Sequence, residues 1–442
     1  MTPPSPPKPS PTKTPQALQA MAKALQRVEE LLSLLPGDLA KDMKARVGRL
    51  RGLLFEQRPP AFLLVGRRGA GKSSLVNALF GEKVAEVGHI KAETPSGKWY
   101  DYSNERGALR ILDTRGLQEG SRPEGAEAKL DALEAMLLAV KREPPDVVLF
   151  LAKATEVDAA IDQDIKAFDR ILQEIERVHR VKPATVGVLT HCDVVEPKGT
   201  RLHKADEEPR EDIDEKLVHI AQAERHLEAK LREYPRIAEK LDSVIGISSY
   251  LSFRADNSLR SDERWHVDTL SSALFRHLPD SGRGAFVRVA QVKGLQEELA
   301  VDVTRLTAGV CAAIAVVPIP VGDVIPITSL QVGLVGVIAW LGGRDLTTEA
   351  AAEFLTALGV NVGAGFVLRE SARALIKFVF PGAGSAISGV IAFAGTMAIG
   401  RAAQAYFLRG ESLEAAQAVL KDAHDEATKE AETNAGTNER AD

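Results

Sequence analysis

The chain has 442 residues, 45% of them hydrophobic and 26% charged, with a formal net charge of -5. That length fits two or three domains, and the mildly acidic balance argues against a dedicated nucleic-acid binder, which is usually basic. Two cysteines, Cys192 and Cys311, lie far apart with no metal-ligand spacing, which predicts free thiols in a reducing compartment.

The N-terminal stretch MTPPSPPKPSPTKTP lacks the apolar core of a signal peptide. Its prolines predict an extended, disordered arm over residues 1–15. Leu18, Met21, Leu25, Val28, Leu32 and Leu35 recur at spacings of three and four, as do Leu39, Met43, Val47, Leu50 and Leu54. Pro36-Gly37 separates the two patterns. A helical hairpin is therefore expected over 16–58, each helix with one apolar stripe to bury.

From residue 61 the texture changes. The runs AFLLVG, LRILD, DVVLFLA, ATVGVLT and DSVIGIS alternate with helical patterns such as Ile161, Ile165, Phe168, Leu172 and Ile175. Continuous apolar strands alternating with helices predict an α/β domain over 61–278, a buried parallel sheet flanked by helices. Residues 284–410 read as an all-α domain rich in Gly and Ala, and 411–442 as an acidic helical or disordered tail. Residues 324–343, 354–368 and 378–400 contain no charged side chain.

One motif stands out. GRRGAGKS, Gly66 to Ser73, follows the strand AFLLV and precedes the helix SSLVNALF, matching G-x-x-x-x-G-K-[ST]. Glycines at 66, 69 and 71 let the backbone approach a phosphate closely, and the N–H groups of Arg67, Arg68, Ala70 and Ser74 would join theirs at the helix N-terminus. Lys72 would reach the terminal phosphate oxygens and the Ser73 hydroxyl would ligate Mg²⁺. About forty residues further on, LRILDTRG places Asp113 at a strand end with Gly116 three positions later. Asp113 suits the metal and the Gly116 N–H suits the γ-phosphate. In KAETPSG between them, Thr94 is either the threonine that closes on metal and phosphate or an ordinary loop threonine. LTHCDVV ends the fourth strand after the loop. There Asp193 can pair with guanine N1–H and the 2-amino group, Thr190 and His191 can brace the base, and Ser248 and Ser249 in VIGISSY support it. The alternative is a loop aspartate that caps the next turn.

Taken in order, Gly66–Ser73, Thr94, Asp113–Gly116, Thr190–Asp193 and Ser248–Ser249 resemble the motifs of Era-like GTPases of the Ras-type P-loop class, over residues 61–278. AAIAVVPIPVGDVIPITSLQVGLVGVIAWLGG and FPGAGSAISGVIAFAGTMAIGRAAQAYF resemble the bacterial helical domain of unknown function that often follows such a GTPase. The resemblance implies a bacterial protein that binds GTP and GDP with Mg²⁺, cytoplasmic or at the inner membrane, with Lys72, Thr94 and Gly116 in the catalytic roles. The chain departs from the pattern at Arg115, where proline is usual, and at His191, where lysine is common. Leu117 stands where Ras-like enzymes place the glutamine that orients the attacking water. Slow hydrolysis is expected, with the missing group supplied by another loop, a potassium ion or a second protomer of a homodimer.

Two readings of the helical half stay open. Residues 308–342 and 378–400 approach the roughly 20 residues that span a bilayer and could contact lipid. Alternatively, they form a compact soluble core that docks a partner, with Pro318, Pro320, Asp323 and Pro326 interrupting the first run. Ribosome assembly is a third role, without an evident basic RNA-binding module, and a scaffold that binds GTP without turning it over, as Leu117 suggests, is a fourth.

Overall fold

The computed structural model describes residues 16–31, 37–85, 99–104, 106–113, 132–157, 161–316, 327–359 and 385–423. The chain divides into two compact units, Gln57–Leu295 and a second made of Met1–Glu56 with Gln296–Asp442.

Helices α1 (Gln16–Leu31) and α2 (Gly37–Leu54) come first in the chain and belong to the second unit. The first unit begins with β1 (Ala61–Val65), α3 (Lys72–Phe80), β2 (Trp99–Ser103), β3 (Ala108–Asp113), α4 (Ala132–Arg142), β4 (Val147–Lys153), α5 (Ile161–His179) and β5 (Ala184–Thr190). It continues with α6 (Arg210–Arg232), α7 (Pro235–Lys240), β6 (Leu241–Gly246), the ribbon β7 (Leu251–Phe253) and β8 (Leu259–Asp262), then α8 (Val267–His277) and α9 (Asp280–Ala290).

Six strands form one sheet in the order β2-β3-β1-β4-β5-β6. All neighbours run parallel except β2, which pairs antiparallel with β3. The parallel sheet expected from the sequence is present, with one antiparallel strand, β2, at its edge. The edge strand WYDYS has no apolar run because only part of its surface is covered, so it gives no buried-strand signal. Every residue of β1 is buried, as a central strand covered on both faces requires. Helix α5 buries Ile161, Ile165, Phe168, Ile171, Leu172 and Ile175, and the Phe168 ring meets Phe150 of β4 at 5.2 Å. A fully buried side chain of this kind contributes roughly 2 kcal/mol through lost apolar exposure. Helix α9 packs in this unit too. Phe286 is fully buried and meets the Phe62 ring edge-on at 5.7 Å.

The second unit adds α10 (Lys293–Val316) from Gln296 onward, α11 (Ile327–Leu341), α12 (Thr348–Ala357) and α13 (Ser385–Phe407), with a further helix over 413–423. Helix α11 is its hub and packs against α1, α12 and α13. A Cβ at Gly333 would stand 3.1 Å from Met21 Cα, so the α1 backbone approaches where α11 has no side chain. Buried Gln331 donates to Thr396 Oγ1 at 3.1 Å, a polar tie from α11 to α13. The uncharged sequence of α11 follows from its burial on nearly every side. Its 15 residues extend about 22 Å, short of a hydrocarbon core of about 30 Å. No helix among the described residues is long and apolar enough to cross a membrane. Residues 324–326, 360–368 and 378–384 of the uncharged runs lie outside the described residues, as do 317–323.

Candidate functional site: a phosphate loop joined to a strand end

Strand β1 ends one residue before the loop and hands it Gly66. A Cβ at Gly66 would stand 2.5 Å from the Leu151 carbonyl oxygen of β4, so only glycine leaves the sheet there. Gly71 adopts φ 82, ψ 16 as the N-cap of α3, a left-handed conformation that favours glycine. Lys72 opens α3 and is buried. Its Nζ donates to the Gly66 carbonyl at 2.9 Å and the Arg67 carbonyl at 3.0 Å, so the loop is wrapped around its own lysine. Ser73 and Ser74 follow in the first turn, half-buried. No acidic residue stands in that turn, which suits an anion at the positive end of the helix. Arg68 and Gly69 are exposed on the outer side of the loop and Ala70 is buried beneath it.

Arg67 is held from below. Its Nε donates to Asp164 Oδ2 at 2.5 Å, and Asp164 is 3% exposed at the start of α5. Arg67 Nη2 is buried with no hydrogen-bond partner among the described residues.

The strand end at 190–193 meets the loop directly. Thr190 is fully buried, and its hydroxyl donates to the Ala70 carbonyl at 3.1 Å, with the Ala152 carbonyl 3.3 Å away. With that proton directed at carbonyls, His191 Nδ1, 2.9 Å from Thr190 Oγ1, is the donor to the hydroxyl oxygen. His191 sits at φ 58, in the left-handed region, where histidine is among the commoner non-glycine residues. Its Cε1 lies 3.4 Å from where a Cβ on Gly71 would stand.

Asp193 is half-buried in a short 3₁₀ turn, Cys192–Val194. Two contacts fix that turn. Cys192 N–H donates to the Ile247 carbonyl at 3.2 Å, and the fully buried Lys216 of α6 donates to the carbonyls of Asp193, Pro197 and Thr200 at 2.7, 3.2 and 3.0 Å. Burial pushes the Lys216 pKa below its ordinary value, with Asp193 opposing the shift. Burial likewise raises the Cys192 thiol to about 12, so it is an inert filler here. Ser248 and Ser249 follow β6 directly after Ile247, whose carbonyl accepts from the turn, and both are buried. The Ser248 Oγ has no hydrogen-bond partner among the described residues.

For a metal, the backbone of Asp113 pairs with Leu64 of β1, which brings the end of β3 beside the root of the phosphate loop. No cluster of three or more His, Cys, Asp or Glu among the described residues could hold an ion without other ligands. One serine and one carboxylate suit Mg²⁺, which is commonly completed by phosphate oxygens and water. Thr94, Gly116 and Leu117 lie outside the described residues.

Three side chains at the site escape the motif reading: Lys153, Asp164 and Lys216. Two had a signal. Asp164 falls between Ile161 and Ile165 on the apolar face of α5, and Lys216 falls between Ile213 and Ile220 on that of α6. A charge on a buried stripe needs a partner. Lys153, at the end of β4, had none.

A glycine-rich loop closing β1 onto α3, with a lysine inside it and an adjacent strand end bonded to it, defines a P-loop nucleotide-binding domain. Residues 61–190 match the family described as "50S ribosome-binding GTPase", and this segment is similar to the GTPase domains of Der proteins. A GTPase Der of Rippkaea orientalis is 37% identical over 112 residues, covering 25% of this chain and 24% of the relative. A GTPase Der of Pelotomaculum thermopropionicum is 27% identical over 238 residues, covering 53% of this chain and 49% of the relative. The chain thus spans between a quarter and a half of these relatives. Among solved structures, Toc33 from Arabidopsis thaliana in complex with Mg²⁺ and GMPPNP is 19% identical, covering 55% of this chain and 93% of its own, at a TM-score of 0.34. Era in complex with MgGDPNP and a 16S ribosomal RNA fragment is 19% identical, covering 58% and 68%, at a TM-score of 0.30.

Proposed function

We propose that the chain binds GTP and GDP with Mg²⁺, hydrolyses GTP slowly, and uses the bound nucleotide to control docking by its helical unit. The observation that carries this reading is the bond from Thr190 to Ala70, which joins the phosphate loop to the strand end bearing Asp193. The backbone N–H groups of 66–74 and Lys72 bind the phosphates. The Asp193 carboxylate accepts from guanine N1–H and the 2-amino group, an arrangement adenine does not offer. Thr190, His191, Ser248 and Ser249 brace the base. Ser73, Asp113 and Thr94 would hold Mg²⁺, which when bound neutralises charge between the β- and γ-phosphates. Gly116 would donate its N–H to the γ-phosphate.

Slow turnover follows from Leu117, which can neither donate to nor accept from the attacking water. Another loop, a potassium ion or a second protomer would supply the missing group. Single-turnover hydrolysis on the full chain tests this, with Lys72→Ala as control. The expected rate constant is on the order of 10⁻⁴ to 10⁻³ per second, as for GTPases without an activator. Turnover of several per second in the wild type would overturn it.

A ribosomal partner is the second reading, supported by the description of the matched family. Cosedimentation with 50S subunits in GTP but not in GDP is the expected result, and equal pelleting in both states would remove nucleotide control. Lipid contact through 308–342 and 378–400 is supported by their scarcity of charge alone, with Asp323 in the first and none in the second, and flotation with liposomes tests it.

A further inference from the structure

The base-reading strand end carries no lysine. Position 191 is a histidine whose Nδ1 is already engaged with Thr190, so its ring does not bring an ammonium to the phosphate loop. An ammonium reaches the loop from the neighbouring strand. Lys153 ends β4 and stands in register opposite Thr190 of β5. Its Cε and Nζ lie 3.6 and 3.7 Å from the place a Cβ on Gly69 would occupy, and Gly69 is in the left-handed region at φ 75. Beside them opens a cavity of about 440 Å³, walled by Arg68, Gly69, Lys153, Thr155, Glu156, His191 and Val194. His191 and Lys153 both line it. Glu156 accepts from Lys153 Nζ at 2.7 Å and steadies the ammonium in this position.

We propose that Lys153 is a positioning residue that replaces the lysine absent from position 191, bracing the phosphate loop at Gly69 and adding a cation beside the bound nucleotide. The proposal rests on the nucleotide-binding reading above. The Lys153 ammonium faces the loop while paired with Glu156, which offsets part of its attraction for a polyphosphate, and its aliphatic stem packs against a backbone turn that has no side chain of its own. Lys153 and position 191 belong to adjacent strands, so no motif search along a single strand pairs them.

Titration of the full chain with a fluorescent guanine nucleotide tests the exchange. Lys153→Ala is expected to weaken binding about tenfold and to speed dissociation, while the melting temperature of the nucleotide-free chain holds. Adding His191→Lys to that variant restores most of the loss. Glu156→Gln, which keeps the cation, costs less than Lys153→Ala. The proposal is overturned if Lys153→Ala binds within about twofold of wild type, if His191→Lys recovers nothing, or if Glu156→Gln loses as much. Failure of the wild type to bind any guanine nucleotide is a separate outcome, and it removes the binding reading itself.

Discussion

The Thr190 hydroxyl donates to the Ala70 carbonyl across 3.1 Å, so the strand end carrying Asp193 and the loop carrying Lys72 are one bonded piece. Thr190→Val keeps the shape and removes the donor. The buried carbonyl of Ala70 then loses a partner, which costs about 1–3 kcal/mol. We expect nucleotide affinity to fall by about tenfold in Thr190→Val and to be largely retained in Thr190→Ser, read by equilibrium titration. Equal affinity in wild type and Thr190→Val would show that the two pieces act independently.

Arg67 and Asp164 form the second tie, from the loop to α5. Both side chains are mostly withdrawn from water, at 24% and 4% exposure, so their coupling is poorly screened. A double-mutant cycle with Arg67→Met and Asp164→Leu, read by urea unfolding, should give an interaction energy of about 0.5–3 kcal/mol. Additive effects of the two substitutions would contradict a direct tie.

Glu174 of α5 reports on the pH dependence of the α/β unit. The Arg177 guanidinium donates to it, and Lys141 of α4 lies 3.2 Å away; together they hold the carboxyl down to about 2, against partial burial. A lowered carboxylate pKa stabilises the fold above the ordinary value of 4.5, and the stabilisation is lost as pH falls from 4.5 towards about 2. Glu174→Gln should therefore cost about 1 kcal/mol or less at neutral pH, and the two stability curves should converge across that window. A gap that stays constant with pH would exclude the charge as its cause.

What the sequence made legible follows from local chemistry. The phosphate loop could be read because its glycines and Lys72 are demanded by backbone geometry within eight consecutive residues. The central strands could be read because burial on both faces leaves uninterrupted apolar runs. Strand β2 and the ribbon β7–β8 could not, since their residues are half-covered or exposed and alternate without a long run. The partner of α1 was also hidden. Its stripe predicts burial without naming α11, some three hundred residues later. The ties Arg67–Asp164 and Lys216 to the carbonyl at Asp193 join residues far apart in sequence, and only a charge on an apolar stripe hinted at them. The His191 departure reads differently with the fold in view. The missing cation and a nearby lysine belong to adjacent strands.

The measurement closest to the central claim is nucleotide competition by GTP, ATP and XTP on the wild type and Asp193→Asn. Replacing the carboxylate by an amide exchanges an acceptor for a donor and should move preference from GTP towards XTP. The account predicts that the wild type prefers GTP over both competitors and that Asp193→Asn prefers XTP. A wild type that takes ATP as readily as GTP, or a preference unchanged in Asp193→Asn, would contradict it.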